Sequence, residues 1–122
     1  MTRRWLLAGI VAVGLLESVG WFLAASLLWA FRDIFVGAGS IQAAANGRFA
    51  LAIYAATGIN VIALIAFVLG RRGWAWWSLS TVQVGDLALS VVEAVVRSTT
   101  WWLFAAAAVL MLALLLLVRR AP

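Results

Sequence analysis

Hydrophobic positions along this chain fall into four long blocks, with the polar residues gathered between them. The apolar blocks run from Trp5 to Phe31, Phe49 to Leu69, Trp74 to Val96 and Trp101 to Val118, each bounded by arginine, aspartate or glycine. A hydrocarbon core about 30 Å thick is crossed by about 20 apolar residues in a helix. A helix also satisfies its backbone groups within one segment, as lipid requires. The pattern therefore predicts an all-α integral membrane four-helix bundle, one transmembrane domain over residues 1–122, with helices at about 5–31, 49–69, 74–96 and 101–118. The turns Gly70 to Gly73 and Arg97 to Thr100 are short, so helices 2 and 3, and 3 and 4, are expected to be antiparallel neighbours in an up-down-up-down order. The one long connection, 33–47, is too apolar for a solvated linker and is expected to lie on the membrane surface or over the bundle mouth.

Composition agrees with a bilayer environment. With 67% hydrophobic and 11% charged residues, the chain is far from the makeup of soluble domains. Its nine cationic residues are all arginine and sit mostly in pairs at the block ends, which fits membrane anchoring and excludes the basic face expected of a nucleic-acid binder. Arg3, Arg4, Arg71, Arg72, Arg119 and Arg120 fall on one side, and Arg32, Arg48 and Arg97 on the other. The positive-inside rule then puts both termini in the cytoplasm of a multi-pass protein of the cell membrane. Seven of the eight tryptophans support the same boundaries: Trp5, Trp74, Trp76 and Trp77 on the inner side, Trp29, Trp101 and Trp102 on the outer. Only Trp21 is deep. Glu17 interrupts the first apolar block, which reads as a retained helix and not a cleaved leader. With no cysteine and no histidine, thiolate, haem, iron–sulfur and ordinary zinc chemistry are excluded, and no cofactor is expected.

The candidate chemistry lies in the polar positions inside the blocks. An ionisable group there costs several kcal/mol unless paired, neutralised or hydrated. Depth counted from the arginine boundaries puts Glu17, Asn60 and Asp86 near the middle of helices 1, 2 and 3, so three helices offer a polar group at one level. Two facing carboxyls, Glu17 and Asp86, can share one proton. In helix 3, Gln83, Asp86, Ser90, Glu93 and Arg97 fall within about 80° of arc at 100° per residue. Such a stripe is expected to face the bundle interior, a hydrated cavity or a matching helix. Gln83 and Ser90 suit interhelical hydrogen bonding, and Glu93 is placed to pair with Arg97 one turn on. Trp21 and Tyr54 offer aromatic faces that, with the acids, suit a lipophilic cation. Helix 4 carries no polar group between Trp101 and Val118 and reads as a lipid-facing wall.

The segment Leu16-Glu17-Ser18-Val19-Gly20-Trp21 resembles, locally, the first helix of the small multidrug resistance exporters. That resemblance implies a glutamate exchanging protons with cations. The proline- and Ala-Tyr-Ala-rich motifs of that family's third helix are absent here, and the sole proline is Pro122. Three functions fit the residues. The first is a proton-linked transporter or ion pathway, assembled as a homo-oligomer or in a larger membrane complex because four helices enclose little volume. The second is a non-catalytic accessory subunit whose helix 3 stripe docks on a partner. The third is a membrane enzyme acting on an isoprenoid- or sterol-like lipid with a carboxyl as general acid.

Overall fold

A computed structural model describes residues 2–34, 36–70, 72–96 and 98–120, the side chain of Arg72 excepted. Nearly all of these belong to four helices: α1 Arg3–Ala30, α2 Ile41–Val68, α3 Arg72–Val96 and α4 Trp101–Arg120. Each is long and apolar enough to cross a membrane. They form a ring in which α1 and α3 each pack against α2 and α4. Among the described residues, the backbones of the diagonal pairs do not approach each other closely.

The largest departure from the hydropathy pattern is the start of α2, at Ile41 and not Phe49. Ser40 caps the helix, its Oγ accepting the Ala43 N–H at 3.0 Å, which satisfies one of the donors a helix start leaves open. The Asn46 amide donates to the Arg32 carbonyl at 3.0 Å and ties this first stretch to the end of α1. The expected 33–47 loop thus shrinks to a turn before Ser40, in which Gly37 (φ 85°) and Gly39 (φ 76°) take left-handed conformations. Apolar character stops at Gly47 and Arg48 because the early turns of α2 extend beyond the span that needs it. At 28 residues each, α1 and α2 are about 42 Å long, against about 30 Å for the 20-residue α4. Gly70 (φ 91°) turns the chain sharply from α2 into α3.

The interior is two apolar clusters. One, toward the Arg3 and Arg120 end, holds Ile10, Leu64, Phe67, Leu79, Met111 and Leu115 among others. The other, toward the α1–α2 turn, is built on Trp21, Ala25 and Ile53, with Phe49, Trp101 and Phe104 against them. Buried Glu17, Ser18, Asn60 and Gln83 lie between the two. The expectation that α4 is merely a lipid-facing wall is corrected: its Ala105, Ala108, Met111, Leu115 and Val118 face is buried, because it closes the ring between α1 and α3. Its other face carries exposed Leu103, Leu110 and Leu117. Tryptophan roles also divide. Trp5, Trp74 and Trp77 are well exposed, whereas Trp101 stacks on Trp21 and Phe104 and the Trp76 indole donates to the Leu115 carbonyl at 2.9 Å.

Gly14 sets the approach of three helices. A Cβ there would lie 2.7 Å from Leu64 Cδ1 of α2 and 3.1 Å from Met111 Cε of α4. Gly58, on the exposed side of α2, has nothing within 4 Å of the equivalent position. Gly14→Val is therefore expected to lower the unfolding free energy in mixed micelles by about 2–3 kcal/mol through overpacking. The same substitution at Gly58 is expected to change it by under about 1 kcal/mol.

Candidate functional site

The polar layer exists because the buried faces of three helices carry it at one depth. On α1 the inward face reads Ile10, Gly14, Glu17, Ser18, Trp21 and Ala25, at helical spacing. On α2 it includes Ile53, Asn60, Ala63 and Phe67. On α3, Ala75, Leu79, Gln83 and Ser90 are fully buried, so polar and apolar residues share one stripe.

These side chains make one continuous hydrogen-bonded chain. The Ser18 hydroxyl donates to the Gly14 carbonyl at 2.7 Å, as serine in a helix commonly does with the residue four back. Its Oγ accepts from Asn60 Nδ2 at 3.0 Å. Gln83 Nε2 donates to Glu17 Oε1 at 2.5 Å and lies 3.4 Å from Asn60 Oδ1. Asn60 is thereby the hub between α1 and α3, and Gln83 reaches across the diagonal of the ring. Glu17 Oε2 and Gln83 Oε1 are buried without a hydrogen-bond partner among the described residues.

A cavity of about 240 Å³ adjoins this chain. Asn60, Ser18 and Asp86 supply its polar lining, Trp21 and Phe49 its aromatic walls, and Thr57 adds a hydroxyl that donates to the Ile53 carbonyl at 2.8 Å. Exposed Ala52 of α2 and Gly85 of α3 border it, so it opens sideways between these helices. Neither Glu17 nor Gln83 lines it. Glu17 connects to the cavity through Gln83 and Asn60.

Several sequence expectations are redrawn by these positions. Gln83, not Asp86, meets Glu17, and half-buried Asp86 sits one turn nearer the α1–α2 turn, on the cavity wall. Tyr54 is off the cavity: its hydroxyl is 2.7 Å from that of Ser26 on α1, and its ring meets Phe22 edge-on. Trp21 does line the cavity and also packs on Phe104 of α4, centroids 4.8 Å apart. Ser90 and Glu93 are buried on α3. Arg97, and with it the expected Glu93–Arg97 pair, lies outside the described residues. Ser18 was not singled out by its sequence context, since a serine bonding its own helix leaves no pattern; its second bond, to Asn60, shows only in three dimensions.

Compared with known protein families, curated proteins and solved structures, the chain matches none. The chemistry must be read from the site itself. All nine arginines stand outside the mid-depth layer in sequence, and among the described residues no ion pair brings one to Glu17 or Asp86. A negative charge on either in low dielectric must be matched by a proton or by a cation that arrives.

Gln83→Leu removes the only hydrogen bond to the Glu17 carboxyl found among the described residues and is expected to cost about 1–3 kcal/mol, because the carboxyl stays buried without its donor. Combined with Glu17→Leu, the loss is expected to shrink. A double-mutant cycle on reversible unfolding in mixed micelles reads this coupling, which exceeds about 0.5 kcal/mol if the two side chains act as a pair.

Proposed function

We propose that this chain is a small proton-linked transporter or ion pathway whose exchangeable site is formed by Glu17 and Asp86. The observation that supports this reading is one continuous arrangement. A buried carboxyl with one bare oxygen is wired through Gln83 and Asn60 to a cavity that carries a second carboxyl and opens between α2 and α3. Asp86 supplies a counter-charge and Trp21 a π face, which together favour an amphipathic cation as the species exchanged against protons. The arginine bias supports a cytoplasmic position for the bundle end carrying Arg3 and Arg120, in a cell-membrane setting. The cavity of one bundle is a site and not a continuous pore, so movement across the membrane requires helix rearrangement or a second copy.

The accessory-subunit reading loses its main support, because Gln83 and Ser90 are buried inside the bundle and do not offer an exposed docking stripe. The enzyme reading loses Tyr54, which is bonded to Ser26 away from the cavity.

Proteoliposomes carrying a pH-sensitive dye, given a proton gradient with and without added amphipathic amines, test the proposal. Wild type is expected to pass protons in an amine-dependent way, and Glu17→Gln and Asp86→Asn to lower that flux at least tenfold. Unchanged flux in both variants overturns it.

A further inference from the structure

The Arg3 and Arg120 end of the bundle has an excess of positive charge that the chain itself does not balance. The six arginines assigned to this end by sequence are Arg3, Arg4, Arg71, Arg72, Arg119 and Arg120. The four acids, Glu17, Asp33, Asp86 and Glu93, all lie elsewhere. Glu17 is 14 positions along α1 from Arg3, about 21 Å away at 1.5 Å per residue. No acidic side chain of the chain is therefore placed among these arginines.

One place at this end is shaped to hold an anion. A cavity of about 250 Å³ is lined by Arg3, Phe67, Gly73, Trp76, Trp77, Val118 and Arg119, drawing on all four helices. Arg3 Nε is buried, with no hydrogen-bond partner among the described residues. The Arg119 guanidinium lies 4.5 Å from the centroid of Trp76 and 5.6 Å from that of Trp77. Stacking engages the face of a guanidinium and leaves its edge N–H donors available for a phosphate. Trp76 is itself held by its bond to the Leu115 carbonyl and meets Trp77 edge-on at 5.0 Å, so the platform is fixed from α4. Phe67 and Val118, both almost fully buried, give the cavity an apolar floor. An apolar floor beneath two guanidiniums fits a phosphodiester attached to glycerol and acyl chains better than a free hydrated anion.

We propose that this Arg3–Trp76–Arg119 cleft is a binding site for the phosphate headgroup of an anionic phospholipid. Basic pockets between membrane helices take such headgroups by this chemistry. The site is independent of the carboxyl layer and stands whether or not the chain moves protons.

The test uses full-length protein extracted from membranes of mixed phosphatidylglycerol and phosphatidylcholine, followed through successive detergent washes by native mass spectrometry. Wild type is expected to retain phosphatidylglycerol in preference to phosphatidylcholine, and Arg3→Gln/Arg119→Gln to retain at least tenfold less. Arg4→Gln/Arg120→Gln, which removes the same charge from exposed arginines outside the cleft, is expected to behave as wild type. If the first double variant does not fold, the single variants Arg3→Gln and Arg119→Gln are each expected to lose part of the retention. Equal losses in both double variants reduce the effect to general surface charge and overturn the proposal, as does unchanged retention in the cleft variants. A parallel thermal-shift series separates the sources of phosphate: phosphatidylglycerol is expected to raise the melting temperature. Inorganic phosphate raising it equally, with the same dependence on Arg3 and Arg119, overturns the lipid assignment.

Discussion

The hydrogen bond from Gln83 to Glu17 crosses a diagonal of the ring that no backbone packing bridges. In lipid there is no water to take over an abandoned partner, so the depth at which α1 and α3 face each other is tied to this contact. Asn60 extends it to α2, and Ser18 returns it to the α1 backbone at Gly14. Gly14 in turn leaves the space that Leu64 and Met111 fill against α1. The polar chain and the glycine most closely approached by neighbouring side chains therefore meet at the same turn of α1. Apolar clusters on either side supply bulk, while this layer supplies register.

The four spans were legible in the residues because a run of some 20 apolar positions leaves few alternatives. The start of α2 was not, since a helix that has left the hydrocarbon no longer carries a hydropathic signature. Ser40 as its cap was the local sign available. The three- and four-residue rhythm of Gln83, Asp86, Ser90 and Glu93 announced a polar face on α3, and that Gln83 and Ser90 are fully buried follows from it. Which member of the stripe would meet Glu17 was beyond reach. Gln83 and Asp86 differ by one turn, about 4.5 Å of rise, and depth counted from flanking arginines is no finer than that. Tyr54 shows the same limit around the helix axis: the rotation that separates a cavity wall from the α1 contact at Ser26 is set by how α1 and α2 are turned against each other.

The two ends of the bundle hold their arginines differently. At the α1–α2 turn, Arg32 lies 4.3 Å over the ring of Trp29 and donates to the carbonyl of that same residue at 2.7 Å. Gly47 leaves room for the indole beside it. This cation is satisfied within its own hairpin. At the opposite end, Arg119 rests on two indoles contributed by another helix, and Arg3 has a buried nitrogen with no hydrogen-bond partner among the described residues. Arg32 is thus satisfied locally, whereas the donors of Arg3 and Arg119 face a cavity.

The sideways mouth between Ala52 and Gly85 changes what concentration means for this protein. If the cavity takes a guest as proposed, a guest entering by this mouth passes acyl chains and competes with solvent lipid as well as with water. Occupancy then follows how strongly a molecule partitions into the bilayer as much as how well it fits. A weakly complementary guest that accumulates a thousandfold in the membrane can outcompete a better-fitting one that stays in solution. Selectivity in such a site is shared between the protein and the membrane that holds it.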